Sequence, residues 1–208
     1  MIVPAAGFVL AGGRSTRMGR DKALLEIDGE MLIRRGLRQL GEVCSEVAIA
    51  GGSPELARYG RLVEDRNPGM GPLSGIVAAL ESTSSTWNLF CPVDAPFVPG
   101  SAWQMLLEQA ANGSADAVLA RVCGQVQPLC GLYHRQTAAG LRAQLEAKLL
   151  KVTSAIEATG RVLWVDFDAP EEQAWFRNLN TPEDYDRIAH PKSQAMQTGS
   201  ARHDSGNG

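Results

Sequence analysis

Short, almost wholly apolar runs alternate along this chain with stretches whose apolar residues recur every three or four positions. That is the pattern of buried strands alternating with amphipathic helices. Residues 6–10 read as a first strand, followed by a helix over 31–40 in which Leu32, Ile33, Gly36, Leu37 and Leu40 share one face. The pattern returns to a strand at 46–50, a short helix at 54–59 and a third strand at 61–64. Pro72 then opens a helix reaching about residue 81, since proline is well placed in a first helical turn. Residues 87–93 form the clearest buried strand. Beyond it come a helix at 101–111, a strand at 115–120, an extended piece at 127–133, helices at 135–147 and 152–158, and an alternating strand at 162–167. A last helix starts after Asn180-Thr-Pro-Glu-Asp, with Thr181 as its cap.

Strands that alternate with helices in this way pack as βαβ units around a parallel sheet. The expected fold is therefore α/β, a single three-layer Rossmann-like domain with a mainly parallel mixed sheet. Its length of 208 residues suits one domain with a substantial core. Residues 1–190 are assigned to that domain, and the Ser-, Gly-, Gln- and Asn-rich residues 191–208 to a disordered tail. No internal repeat occurs, and no apolar run approaches the about 18 residues of a membrane-spanning helix.

With 20 Lys and Arg against 23 Asp and Glu, the net charge of -3 argues against a protein that coats nucleic acid, and any anionic ligand must be met by local positive charge. The four cysteines, Cys44, Cys91, Cys123 and Cys130, make no C-x-x-C pair. They receive no redox or metal role, and Cys91 and Cys123 sit in apolar surroundings that suit small buried thiols. The N-terminus lacks a charged segment ahead of a long apolar stretch, so a cytoplasmic location is expected.

Local positive charge is concentrated in one place. The run Leu10-Ala-Gly-Gly-Arg-Ser-Thr-Arg-Met-Gly-Arg-Asp-Lys22 lies directly behind the first strand. Adjacent glycines Gly12 and Gly13 let backbone N–H groups turn toward an anion, and Arg14, Arg17, Arg20 and Lys22 add cations. The spacing fits neither G-x-x-x-x-G-K-[ST] nor G-x-G-x-x-G, so it is neither a P-loop nor a dinucleotide fingerprint. A site that attacks the α-phosphorus of a nucleoside triphosphate must neutralise roughly four negative charges and hold donor and acceptor in line. Lys22 is the candidate point charge on the phosphates, and Arg17 the candidate fork for charge developing on pyrophosphate. Arg14 and Arg20 are equally well explained as solvated.

Asp94 ends the central strand at the edge where open α/β sheets bind ligands, and Pro92, Pro96 and Pro99 stiffen its loop. It is the candidate ligand of a magnesium ion, which needs only one or two protein carboxylates. Asp65 closes the third strand and can accept from a base or ribose, although Asp before Asn-Pro-Gly also makes an ordinary turn. Gly71-Pro-Leu-Ser-Gly75 reads either as a turn bordering a nucleotide or as a plain helix start. His134 and His190 have no carboxylate or serine at a catalytic spacing. Lys148 and Lys151 fit a solvated helix face better than an acceptor contact.

The glycine loop resembles the signature of nucleotidyltransferases with the nucleotide-diphospho-sugar transferase fold. Taken in order, Leu10-Ala-Gly-Gly13, Arg17-Met-Gly, Asp21-Lys22, Glu64-Asp65, Gly71-Pro-Leu-Ser-Gly75, Cys91-Pro-Val-Asp94-Ala-Pro and Asn178-Leu-Asn180-Thr-Pro-Glu resemble the molybdenum cofactor guanylyltransferases over residues 5–189. That resemblance implies transfer of GMP from GTP to molybdenum-bearing molybdopterin, with release of pyrophosphate and Mg²⁺ as cofactor. It implies nucleotide contacts by Leu10, Ala11, Gly12, Gly13, Lys22, Asp65, Gly71 and Asp94, the metal on Asp94, and acceptor contacts by Asn178 and Asn180. Catalysis falls to Arg17, Lys22 and Asp94. The implied partners are GTP, molybdopterin and, transiently, molybdenum-insertion proteins and acceptor molybdoenzymes; neither nucleic acid nor membrane is among them. One departure stands out: family members often carry an asparagine behind the second strand, where this chain reads Ala50-Gly51-Gly52, so contact there must come from backbone. The alternatives are a cytidylyl or sugar-phosphate enzyme of the same fold, or a nucleotide-binding adaptor without catalysis. Ala11-Gly12-Gly13, where cytidylyl relatives usually have Ala-Ala-Gly, favours the guanylyl reading.

Overall fold

A computed structural model describes residues 3–12 and 21–189. In chain order its elements are β1 (Ala5–Leu10), β2 (Glu26–Ile27), β3 (Glu30–Met31), α1 (Leu32–Gly41), β4 (Glu46–Ala50), β5 (Leu62–Val63), α2 (Pro72–Glu81) and β6 (Trp87–Pro92). They continue as α3 (Gly100–Asn112), β7 (Ala117–Val122), β8 (Gln125–His134), α4 (Ala138–Glu146), α5 (Val152–Thr159), β9 (Val162–Phe167), α6 (Pro170–Trp175) and α7 (Pro182–Ala189). Seven strands form one sheet in the order β5-β4-β1-β6-β8-β7-β9. Only β8 runs against its neighbours β6 and β7, so the sheet is mixed and mainly parallel, as the pattern predicts.

Every residue of β1 and β6 is buried, which explains why these two strands read as continuous apolar runs. Because side chains alternate across a strand, Val9, Ile49, Leu89 and Leu132 face a layer built from α1 and α3, through Leu32, Ile33, Leu40, Trp103 and Leu106. Phe8, Ala48, Phe90 and Tyr133 face the opposite layer of α2, α4 and α5, through Leu73, Ile76, Leu141 and Ile156. Two helical layers thus sandwich the sheet. The winding from β1 through β4 to β5 runs outward on one side, and the chain then returns to β6 on the other side of β1. That reversal opens a crevice beyond the carboxyl ends of β1, β4, β5 and β6, the position at which doubly wound sheets bind ligands.

Several expectations need correction. The piece at 54–59 is a short 3-10 turn, Pro54–Arg58, and the helix expected at 135–147 begins as a 3-10 turn over Arg135–Thr137. The extended piece at 127–133 is a ten-residue strand, but its register with β7 jumps from Leu119↔Gly131 to Ala120↔Gln127. The intervening residues bulge out around Pro128, which has no N–H to give to a ladder. Two elements lie where no element is expected. The β2–β3 hairpin turns on Asp28 and Gly29, both at positive φ (52° and 77°), the backbone that a two-residue Asp-Gly turn adopts. Helix α6 is held at its start by Glu172, whose carboxylate accepts the Ala169 N–H at 3.0 Å. Thr181 does cap α7, accepting the Asp184 N–H at 3.1 Å while the Asp184 carboxylate accepts the Thr181 N–H at 3.1 Å. The assigned tail, 191–208, lies outside the described residues.

Candidate active site

Leu10, at the end of β1, is itself core: its side chain is buried and its carbonyl accepts the Val93 N–H at 3.0 Å. The chain leaves the sheet at Ala11, whose N–H donates to the Ala50 carbonyl at 3.0 Å, and reaches Gly12. There it meets a second glycine turn. Gly51 and Gly52 have φ of +73° and +90°, and Gly51 donates its N–H to the Val63 carbonyl at 2.9 Å. A Cβ on Gly51 would sit 3.3 Å from Gly12 Cα, and one on Gly52 would sit 2.6 Å from Leu56 Cδ1 and 3.1 Å from Ala11 Cβ. Gly12 and the Gly51–Gly52 turn pack backbone against backbone, a contact that a side chain on Gly51 or Gly52 would disturb. Gly13, Arg14, Arg17 and Arg20 lie outside the described residues.

Gly12 and Gly52 form one wall of an open cavity of about 450 Å³. Pro54, Leu62 and Pro68 supply apolar surface, and Glu64 and Asp65 supply carboxylates. None of its described lining residues is a Lys or Arg. Asp65 is fixed in place: its Oδ1 accepts the Asn67 N–H at 2.8 Å and also the hydroxyl of Ser74, on α2. Gly71, the residue before α2, has φ +75° and is exposed, and it is not among the cavity's lining residues.

On the other side of β1, the turn after β6 carries Asp94. Its Oδ2 lies 3.3 Å from Lys22 Nζ, and the same ammonium lies 3.5 Å from Asn180 Oδ1. Lys22 opens a single 3-10 turn that Asp21 caps by accepting the Ala23 N–H at 3.0 Å. Asn180 is brought in by backbone: the Leu179 N–H donates to the Asp94 carbonyl at 2.8 Å, and Leu179 is fully buried. On either side of it, Asn178 is half-buried and Asn180 exposed. Lys22, Asp94 and Asn180, which are far apart in sequence, thus form one cluster; Asn178 has no side-chain partner among the described residues. Behind the cluster, burial, and after it the Asp94 charge, push the Cys91 thiol up to about 12, so Cys91 stays neutral there.

A metal ion has few protein ligands available. Among the described residues no group of three or more His, Cys, Asp and Glu could hold one. The donors that do converge, Asp94 Oδ2 and Asn180 Oδ1, are hard oxygens already gathered around a cation, the Lys22 ammonium.

The sequence singled out Asp65, Asp94, Lys22 and the asparagine pair. It named Glu64 and Ser74 only as members of motifs, with no role of their own, and Gly51-Gly52 only as a departure that leaves backbone contact; it did not single out the turn from Gly52 to Pro54 as a cavity wall. A signal for that turn was present, since two glycines directly behind a strand repeat the arrangement at Gly12 and Gly13.

Comparison with known proteins identifies the family and the fold. The profile of the MobA-like NTP transferase domain matches residues 7–170. The chain is 32% identical over 187 residues to a probable molybdenum cofactor guanylyltransferase of Bacillus cereus (strain G9842), covering 86% of this chain and 93% of that one. It is 38% identical over 190 residues to the protein of the same name from Pelotomaculum thermopropionicum, covering 88% and 91%. In fold it is similar to the molybdopterin-guanine dinucleotide biosynthesis protein A of Archaeoglobus fulgidus, with a TM-score of 0.76 at 22% identity over 91% of this chain and 99% of that one. By the match of that profile over most of its length and by these relatives, this chain belongs to the MobA-like NTP transferase family.

Proposed function

We propose that the protein transfers GMP from GTP to molybdenum-bearing molybdopterin and releases pyrophosphate. The observation that carries this reading is that a cavity lined by Glu64 and Asp65 and a cluster of Lys22, Asp94 and Asn180 lie on the two sides of the β1 end. The cavity beyond Gly12 and Gly52 carries the carboxylates of Glu64 and Asp65 in its lining, so it suits a group rich in hydrogen-bond donors. Guanine presents N1–H and the N2 amine side by side on one edge, whereas cytosine has a single exocyclic amine. The other side, at Lys22, suits phosphate.

Gly12 and Gly52 let the backbone approach the nucleoside closely, and Asp65 accepts from the guanine edge. Lys22 binds the triphosphate and balances charge that develops on the departing pyrophosphate. Asn178 and Asn180 orient the acceptor. Its terminal phosphate is largely ionised near neutral pH, with a second pKa of about 6, and so needs no strong general base. An oxygen of that phosphate forms a bond to the α-phosphorus of GTP, and the bond from the α-phosphorus to the bridging oxygen breaks in line. The oxygen donors at Asp94 and Asn180 suit Mg²⁺, and Asp94 would hold it. Bound there it would supply Lewis-acid charge to the phosphates. Lys22, freed from Asp94, would then be available to phosphate.

The test is pyrophosphate release from GTP, CTP, ATP and UTP, each with Mg²⁺ and molybdenum-bearing molybdopterin. Release with GTP is expected, and preference for CTP would refute the reading. Asp94→Ala should lower turnover by at least about 100-fold, in the range seen when transition-state charge stabilisation is removed. Lys22→Ala should raise KM for GTP and slow transfer. Near-normal rates in Asp94→Ala would take the metal role away from that residue.

A further inference from the structure

Asp65 holds its two known partners on one oxygen. The Asn67 N–H and the Ser74 hydroxyl both donate to Oδ1. A carboxylate oxygen offers about two lone-pair sites, so Oδ1 is filled. Among the described residues Oδ2 has no partner, and Asp65 is part of the cavity wall. Ser74, in the first turn of α2, is 1% exposed and cannot itself reach a ligand. Whatever its hydroxyl contributes to binding passes through Asp65.

We propose that Ser74 is a positioning residue for nucleobase selection: by occupying Asp65 Oδ1 together with the Asn67 N–H, it prevents the carboxylate from rotating. Oδ2 is thereby kept as the acceptor for the donor edge of guanine. The inference rests on the reading of the cavity as the guanine subsite. It adds a residue that never touches the nucleotide and yet sets how sharply the 2-amino group is read. A free carboxylate could offer either oxygen to whatever base enters. A carboxylate pinned at one oxygen presents a single acceptor in one direction, and a base that lacks the matching donor leaves it desolvated without a partner.

The experiment is calorimetric titration of the full chain with GTP, with ITP, which lacks the 2-amino group, with CTP and with pyrophosphate. It compares wild type, Ser74→Ala, Ser74→Thr, Asp65→Asn and the Ser74→Ala/Asp65→Asn double variant. Alanine is a strong helix former, so Ser74→Ala retains α2, and a thermal melt checks this. Loss of a hydrogen bond to a charged group predicts about a 10-fold weaker GTP affinity in Ser74→Ala. The loss with ITP should be smaller and pyrophosphate affinity unchanged, so the preference for GTP over ITP narrows. Ser74→Thr keeps the hydroxyl and should recover most of the affinity. In the Asp65→Asn background, removal of the hydroxyl should change nothing further. In steady state, Ser74→Ala should raise KM for GTP with kcat retained. Unchanged GTP affinity in Ser74→Ala, equal losses for GTP, ITP and pyrophosphate, or losses that add in the double variant would overturn the role of Ser74 while leaving the guanine reading in place. A wild-type protein that binds CTP more tightly than GTP would overturn that reading, and this inference with it.

Discussion

The contact between the two glycine turns makes a graded prediction, because three glycines in one small volume differ sharply in the room they leave. At Gly52 the backbone sits at φ +90°, where a non-glycine residue carries about 1–3 kcal/mol of strain. An added Cβ would also lie 2.6 Å from Leu56 Cδ1, 3.1 Å from Ala11 Cβ and 3.3 Å from the Ala11 carbonyl oxygen. Leu56 is fully buried and has little freedom to withdraw, so overpacking adds about 1–3 kcal/mol. The reduced freedom of the unfolded chain returns only about 0.4–1 kcal/mol. Gly52→Ala should therefore cost about 2–4 kcal/mol and lower Tm by about 5–15 °C in a chain of this size. Gly51→Ala, at φ +73° with its closest contact at 3.3 Å, should cost about 1–2 kcal/mol. Gly12→Ala meets nothing nearer than 3.8 Å and lies outside the left-handed region, so its stability should change by less than about 0.5 kcal/mol.

Function should follow the opposite order. Gly12 lines the cavity, and a methyl there takes space from the nucleoside, so Gly12→Ala should keep its melting temperature and lose GTP affinity. Thermal melts paired with GTP titration of the three variants measure both quantities. A Gly52→Ala protein that melts within about 2 °C of wild type would refute the tight packing of the turns, since that shift corresponds to no more than about 1 kcal/mol. Loss of stability in Gly12→Ala as large as in Gly52→Ala would do so equally.

Two further outcomes are expected. Cys123 is not the buried thiol that its apolar neighbours suggest but is exposed in the turn between β7 and β8, whereas burial pushes the Cys44 and Cys91 thiols up to about 12 and Cys130 well above its ordinary value. Because thiolate is the reactive form, a disulfide reagent at neutral pH should find one fast thiol of the four, removed by Cys123→Ser, and the rest only after denaturation; two fast thiols in the native protein would contradict this. The Asp116 carboxylate is held below its ordinary value of 3.8 chiefly by the Arg161 N–H, that of Asp184 by the Thr181 hydroxyl, and that of Asp166 by Arg121. A carboxylate depressed in the folded state stabilises fully above its unfolded pKa, and that stability is lost as pH falls through the folded value. The melting temperature should therefore hold above about pH 5 and fall below about pH 4, less steeply in Asp116→Asn; an equally steep fall in that variant would remove Asp116 from the effect.

Which parts of the fold are legible in the sequence depends on how burial is distributed. β1 and β6 are buried on both faces, so their apolar runs mark them directly, and Asp94 follows as the residue just past a central strand. The β2–β3 hairpin is two pairs of residues long, too short for any periodicity, and only Asp28-Gly29 announces it. Helix α6 buries none of its residues, so it has no apolar stripe to detect. The register jump in β8 is tertiary: Pro128 announces a break, but not that the strand resumes against β7. Asn180 is different again. Its place beside Lys22 depends on a backbone bond from Leu179 to Asp94, across a separation in sequence that no local pattern spans.

The glycine pair behind β4 shows why a departure from a family pattern need not be a loss. Where an asparagine would offer a side chain to the nucleotide, Gly51 and Gly52 remove the side chain and bring the backbone of β4's turn against that of β1. The cavity wall at that point is main chain, and the side chains that still have reach are Glu64 and Asp65, to which the proposed reading assigns selectivity. A carboxylate can discriminate between bases only if its direction is fixed. In this chain that constraint comes from the Asn67 N–H in the following turn and from the Ser74 hydroxyl in the helix after it. The segment from Glu64 to Ser74 therefore acts as one unit, in which a turn positions the acidic group and the buried first turn of α2 holds it there. Under the proposed guanine reading, base recognition depends on a residue packed inside the protein, and that dependence can be tested without altering any atom that touches the nucleotide.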